Sequence, residues 1–334
     1  MKKKIFSALK VAFFIALGIF FIFWFLGKLT SAEKEEILNS FNSVNYIWVV
    51  VVVVISLLSH VLRTLRWQML FASMGYKPRF GITFSAVMTG YLANLAVPRL
   101  GEVLRCGILD RYEKIPMQKG LGTVVTERII DMITFVLVAL LGFFLEFQAL
   151  KDYIYDNIAG KSTEGIFLFL FAILGLSLLG ILLFFLLRKR LEKIPIYLKI
   201  KNIIVGFWEG LLSIFKLKNP LLFIIYSLGI WFLYFLGTYF IFFCLPETIG
   251  VGMKAALIAL VLGAIGNMIT PGGIGLFPIL FSKSLLLYGV AGPIGYALGW
   301  VSWVTQQIGA VGVGLFTLIG LSYKKHGKVR TDKE

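Results

Sequence analysis

Histidine and cysteine are almost missing from this chain, which holds two of each in 334 residues. Cys106 and Cys244 both fall in apolar segments, which argues against a disulfide framework or a zinc site. His60 and His326 lie far apart, and neither has a Cys or His at ligand spacing, so no metal site is expected. A Walker-type phosphate loop, a dinucleotide fingerprint and an HExxH pair are also missing. The expectation is therefore a protein without a cofactor or a recognisable catalytic motif. Charge is scarce too: only 15% of residues carry it, and Asp+Glu number 17 against 33 Lys+Arg. In a soluble protein such a basic excess suggests nucleic acid. In a very apolar chain it is better explained by cytoplasmic loops that collect Lys and Arg, so no nucleic-acid partner is expected.

What the chain has in quantity is hydrocarbon. Hydrophobic residues make up 59% of it, 31 of them phenylalanine, against roughly 45–50% in soluble domains. The mean hydropathy is +0.89. An all-α polytopic membrane protein is the expected fold class, with residues 1–334 as one transmembrane domain. Runs of about 20 apolar residues, enough to cross a bilayer, cover 5–26, 46–66, 120–145, 165–187, 220–244 and 293–321. The first run follows a basic start and precedes "TSA", as in a signal peptide. It is long for one and reads as a permanent helix.

Two further apolar regions are interrupted. Residues 81–108 contain "PRLGE" and residues 255–287 contain "PGGIGLFP". Pro98 and Gly101, then Pro271, Gly272, Gly273 and Gly275, cannot extend a helix without freeing backbone polar groups. At membrane depth such breaks survive only inside protein or beside a water-filled cavity. Arg63, Arg66, Lys77 and Arg79 precede the first break, and Arg111, Lys114 and Lys119 follow it. Basic flanks on both sides predict a hairpin that enters from the cytoplasm and returns. The second break has weakly basic flanks, which predicts a hairpin entering from outside. Six full spans and two re-entrant hairpins put both termini in the cytoplasm, with a cytoplasmic tail at 322–334. Cytoplasmic loop 188–219 carries Ile200, Ile203, Ile204, Phe207 and Leu211 at helical spacing, which predicts an amphipathic helix on the inner leaflet.

"GYLANLAVPRLG" from Gly90 and "GAIGNMITPGGIG" from Gly263 share the pattern G-x-x-x-N-x-x-x-P. One offset of 173 residues carries Gly90, Asn94 and Pro98 onto Gly263, Asn267 and Pro271. The same offset superposes span 46–66 on 219–239 and span 120–145 on 293–318. Two repeats follow, about 5–145 and 165–321, with opposite orientation. Gly/Pro-broken helices at matching places in inverted halves point to a transport site near the midplane. "GYALG" at 295–299 reads as a small-residue packing face.

The charges concentrate at the first break. Arg99, Glu102 and Arg105 lie in "PRLGEVLR", and Glu127, Arg128 and Asp131 in "TERIID" at the start of the next span. Glu127 and Asp131 share a helix face, and Arg128 and Asp131 are i, i+3 neighbours. Unpaired at a helix centre, each would cost roughly 2.5–3.5 kcal/mol, so they must be paired, hydrated or interfacial. Two readings stay open. One is a static ion-pair knot that locks the hairpin. The other is a polar cavity in which arginines hold an anionic head-group, for which their planar fork is suited. Asn94 and Asn267 line the same breaks. Lys283, on the returning limb of the second hairpin, either snorkels to the outer interface or faces the cavity.

In this order, "NLAVPRLGEVLR", "TERIID" and "NMITPGGIG" resemble the transmembrane, flippase-like family of the lysylphosphatidylglycerol synthase/flippase proteins. The likeness extends over roughly residues 10–320. It implies an integral protein of a bacterial or archaeal cell membrane that moves or handles modified lipids. In that pattern Pro98, Arg99, Gly101, Glu102 and Arg105 stand for P-R-x-G-E-x-x-R, and Glu127, Arg128 and Asp131 for E-R-x-x-D. Pro278 stands where the family's second loop tends to carry an acid, which puts any role of that acid in doubt here. Bifunctional members add a soluble synthase domain, and a chain ending at Glu334 is expected to lack it. The leading expectation is a membrane-lipid translocator for an anionic or modified phospholipid or lipid-linked head-group, and not an enzyme. The alternatives are a non-catalytic partner of a separate lipid-modifying enzyme, and an intramembrane enzyme acting on head-groups through paired carboxylates.

Overall fold

The computed structural model describes residues 16, 19–97, 99–148, 151 and 217–323. Most of the first span, the span at 165–187 and the amphipathic segment in loop 188–219 lie outside the described residues, as does Pro98. The described residues form an all-helical membrane protein, as expected. Helix α1 (Ser31–Asn42) opens with a capping box between Thr30 and Glu33. Helix α2 (Tyr46–Ala72) starts at Asn45, whose side chain accepts from the Ile47 N–H. It runs six residues past the end of the predicted span. Helices α3 (Phe80–Ala96) and α4 (Leu100–Glu113) flank the first break, and α5 (Met117–Leu145) follows. Then come α6 (Pro220–Ile241), α7 (Gly252–Ile269), α8 (Leu276–Leu286) and α9 (Gly292–Tyr323).

Five described helices are long and apolar enough to cross a membrane: α2, α5, α6 with its 3-10 extension to Cys244, α7 and α9. Four of them match predicted spans. Helix α7 is the fifth, and it stands where one limb of the second hairpin was expected. Its 18 residues reach about 27 Å, close to a bilayer's hydrocarbon thickness. The partner limb α8 and helix α3 are shorter.

Helix bounds repeat at the 173-residue offset. Shifted by it, α2, α3, α4 and α5 begin at 219, 253, 273 and 290, close to the starts of α6, α7, α8 and α9. The packing repeats as well: α3 with α4 and α7 with α8, α5 with α7 and α9 with α3. Helices α2 and α6 form the most extensive pair and run antiparallel. The Asn45 N–H donates to the Cys244 carbonyl at one end, and Arg66 reaches Ser227 at the other. Two apolar cores result. One gathers Trp67 and Phe71 with Ile82, Leu109 and Phe223; the other gathers Val52 and Phe242 with Ala256, Phe277 and Leu298.

The breaks are built from glycine and asparagine. A Cβ on Gly101 would stand 1.9 Å from the Gly90 carbonyl oxygen, so α3 and α4 touch through bare backbone. The Asn94 side chain accepts from the Gly101 N–H at 2.8 Å, satisfying a donor freed at the start of α4. At the second break Gly272, Gly273 and Gly275 have φ of 60, 77 and 76°, the left-handed region that glycine enters without strain. There the Asn267 side-chain oxygen lies 2.1 Å from where a Gly273 Cβ would be. The breaks also meet, since the turn Pro271–Gly273 packs on α3, with Leu95 beside Gly272. Gly295 and Gly299 of "GYALG" abut Ser282 and Pro278 of α8, a packing role within the chain.

Candidate lipid head-group site

Two arginines that sequence reasoning assigned to a cytoplasmic flank are central to the site. Arg63 and Arg66 are not at an interface. Helix α2 continues past them through Trp67, Leu70 and Phe71, which are buried, and carries both guanidiniums into the protein. Arg63 donates to Asp131 Oδ2 at 2.8 Å and to the Tyr234 hydroxyl at 3.1 Å. Arg66, with no exposed surface, reaches Asp131 Oδ1 at 2.7 Å, Ser227 Oγ at 3.2 Å and Glu127 Oε1 at 3.6 Å. Asp131 thus bridges two α2 arginines, while its neighbour Arg128 turns away to α4.

Helices α4 and α5 are joined by two rungs of opposite polarity. In the buried rung Arg105 of α4 donates to Glu127 Oε2 at 2.5 Å, with its guanidinium 4.4 Å from the Trp67 ring. The Trp67 N–H is held by Thr123 Oγ1 at 2.8 Å. In the outer rung Arg128 donates to Glu102 Oε1 at 2.9 Å, with the two side chains 52% and 24% exposed. Glu102 and Arg105 are one turn apart on α4, so the open rung lies directly outside the buried one.

The expected balance of three cations and three acids therefore changes. Arg99 is exposed, at the N-cap of α4 with φ 67°. The network itself has four arginines (63, 66, 105 and 128) against Glu102, Glu127 and Asp131. The Nε–H groups of Arg63, Arg66 and Arg105 and the Oε1 atom of Glu127 are buried and have no hydrogen-bond partner among the described residues. Buried polar atoms are nearly always satisfied, and ionisable residues inside a membrane segment are by default candidates for function. Beside them His60 packs on the Tyr91 ring at 4.4 Å, its Nδ1 also unpartnered.

The other predicted residues divide. Asn94 and Asn267 brace the breaks. Lys283 is exposed on α8 and lies outside the network. At the 173-residue offset, Arg105 and Glu127 correspond to Pro278 and Trp300. Pro278 is buried against Gly299, so the second half has close apolar packing where the first has an ion pair. Among the described residues no group of three or more His, Cys, Asp or Glu is placed to hold a metal ion. Both cysteines are free and buried.

Broken helices that meet, a buried arginine–carboxylate network and the order of the motifs agree with the family profile described as "Lysylphosphatidylglycerol synthase TM region", which matches residues 7–314. The chain belongs to this family. It is 28% identical over 169 residues to "UPF0104 membrane protein MJ1595" of Methanocaldococcus jannaschii, covering 48% of this chain and 50% of that one. It is also 27% identical over 79 residues to "Glycosyltransferase AglD" of Haloferax volcanii, covering 23% of this chain and 13% of that one. The chain thus spans at most about half the length of these two curated relatives. No solved structure matches it. Family membership gives a multi-pass membrane protein related to lipid handling.

Proposed function

We propose that the protein translocates a lipid head-group across the cell membrane, with the broken helices as two re-entrant hairpins in inverted repeats. The observation that carries this is the arginine network of α2, α4 and α5. It joins the first broken helix to two membrane-length helices and leaves cationic N–H groups unpaired in the interior. A phosphate is the natural partner for such a fork of donors. The Arg128–Glu102 rung, half open, is the first contact. Arg105 and the α2 arginines then receive the phosphate while acyl chains stay in the bilayer.

Three features support the inverted architecture. Helix bounds repeat at one offset, the equivalent helices α2 and α6 are antiparallel, and an asparagine braces each break. In this reading both termini are cytoplasmic, and the hairpin tips, which touch at Leu95 and Gly272, form the barrier between the two openings. A second reading has one observation in its favour. The chain is similar over 79 residues to a protein named as a glycosyltransferase, and on this reading the membrane region serves as the partner of a lipid-modifying enzyme. Proteoliposomes with fluorescent lipids and a membrane-impermeant reductant separate the two. A translocator bleaches inner-leaflet label faster than protein-free vesicles. Equal rates over anionic, aminoacylated and polyprenyl-linked lipids would leave the partner reading.

A further inference from the structure

The charge of the interior network is not balanced. Arg63, Arg66 and Arg105, each under a tenth exposed, have Glu127 and Asp131 as their acidic partners among the described residues. The five side chains sum to one positive charge. The open rung of Arg128 and Glu102 is neutral in itself and leaves that excess untouched. Arginine cannot shed its proton to relieve the imbalance, so an anion is the remaining means of compensation in a medium of low dielectric.

The unpaired atoms specify the anion further. Three Nε–H donors on three guanidiniums suit the two non-bridging oxygens of a phosphate. Glu127 Oε1, buried beside them, accepts no hydrogen bond, with its ion-pair partner Arg66 standing off at 3.6 Å. It suits a hydroxyl on the same head-group, since a second anionic group there would meet a carboxylate. Resting on the translocator reading, we infer that the site selects a phosphodiester monoanion whose remaining head is neutral and hydroxylated, as in a glycerol or sugar phosphodiester. A phosphomonoester dianion over-compensates the single charge. A zwitterion brings a cation toward three arginines, and lysylphosphatidylglycerol, with two ammonium groups, brings more.

The test is an equilibrium binding series on the full chain in nanodiscs of neutral phosphatidylcholine. Short-chain phosphatidylglycerol, phosphatidic acid, phosphatidylethanolamine and lysylphosphatidylglycerol are titrated in and retention is read by native mass spectrometry. Phosphatidylglycerol is expected to bind at least about tenfold more tightly than the last two, since one uncompensated buried charge is worth at least one decade. A polyprenyl-phosphosugar in the same series distinguishes a glycerophospholipid site from a lipid-linked sugar site, and either as the tightest ligand fits. Glu127→Gln raises the excess to two charges and should move the preference to phosphatidic acid. If that variant does not fold, Asp131→Asn makes the same change, and the wild-type ranking decides by itself. Equal affinity for lysylphosphatidylglycerol and phosphatidylglycerol, or a wild-type preference for the dianion, overturns the inference. The binding ranking without translocation in proteoliposomes would sink the translocator reading alone, and translocation without the ranking would sink this inference alone.

Discussion

Arg105 and Glu127 form the contact whose loss should be felt most. Removing Arg105 leaves Glu127 buried, with Arg66 at 3.6 Å as its nearest cation. Breaking a buried pair from one side costs about 3–5 kcal/mol, so Arg105→Ala should lower thermal stability in detergent clearly. The double variant Arg105→Ala/Glu127→Ala should regain part of the loss, and a strictly additive cycle would show that the rung is not coupled. The half-exposed Arg128–Glu102 pair is worth about 0–1 kcal/mol. Arg128→Ala should therefore leave stability nearly unchanged and act on translocation, which separates the static-knot reading from the transport reading. Five of the network's residues, Glu102, Arg105, Glu127, Arg128 and Asp131, were legible in sequence because charges inside a broken apolar region stand out. Arg63 and Arg66 were not, because cations at the end of an apolar run look like an interfacial flank. The signal available was the run's resumption in "WQMLFA", with Arg63, Arg66, Trp67 and Leu70 on one helical face.

At the scale of elements, the two breaks decide how close the helices come. Gly101→Ala puts a Cβ 1.9 Å from a backbone carbonyl that cannot rotate aside. The cost should reach or exceed the upper end of the roughly 1–3 kcal/mol seen for overpacked cores. Gly107→Ala, on the same helix with nothing near its Cβ position, is the control and should be neutral or stabilising. Folded yield by size-exclusion chromatography distinguishes them, and equal yields would mean that α3 and α4 do not pack as described. Helix α1 supplies a pH dependence outside the membrane. Glu33 is held below its ordinary carboxylate range, first by the backbone N–H of Thr30 and then by its hydroxyl. Because the folded value is the lower one, the cap is fully effective above the usual value of 4.5 and is lost as pH falls through the lowered one. Hydrogen exchange in Ser31–Asn42 should quicken, after correction for the intrinsic rate, only at acid pH, and an unchanged protection would contradict the capping role. The positions of both breaks were readable from Pro and Gly alone. The reach of α7 was not, because its 18 residues end where glycine first demands a left-handed turn, and length in residues does not say on which side of the break a helix stops.

For the whole molecule, one offset relates two sets of helices that differ in chemistry. The first half keeps ionised groups at its break, and the second has Pro278 packed on Gly299, with Trp303 donating to the Gly272 carbonyl at 2.6 Å. On the proposed reading, the first hairpin carries the substrate and the second acts as a packed wall. The shared pattern of Gly90, Asn94 and Gly263, Asn267 is visible in the sequence, but the difference in chemistry depends on pairs distant in the chain, such as Arg66 with Asp131, which no local pattern reveals. Single cysteines test the proposed sidedness: those placed at 75 and 114 should label from one side of the membrane, and those at 250 and 289 from the other. Labelling of all four from one side would contradict the inverted halves. The most direct test of the account is lipid translocation in proteoliposomes by wild type beside Arg105→Ala, with both shown to be folded by size-exclusion chromatography and circular dichroism. The account predicts fast movement of a labelled monoanionic phosphodiester lipid by the wild type and movement near the protein-free rate by the variant. Equal rates from two folded proteins would contradict the assignment of the charged hairpin as the transport site.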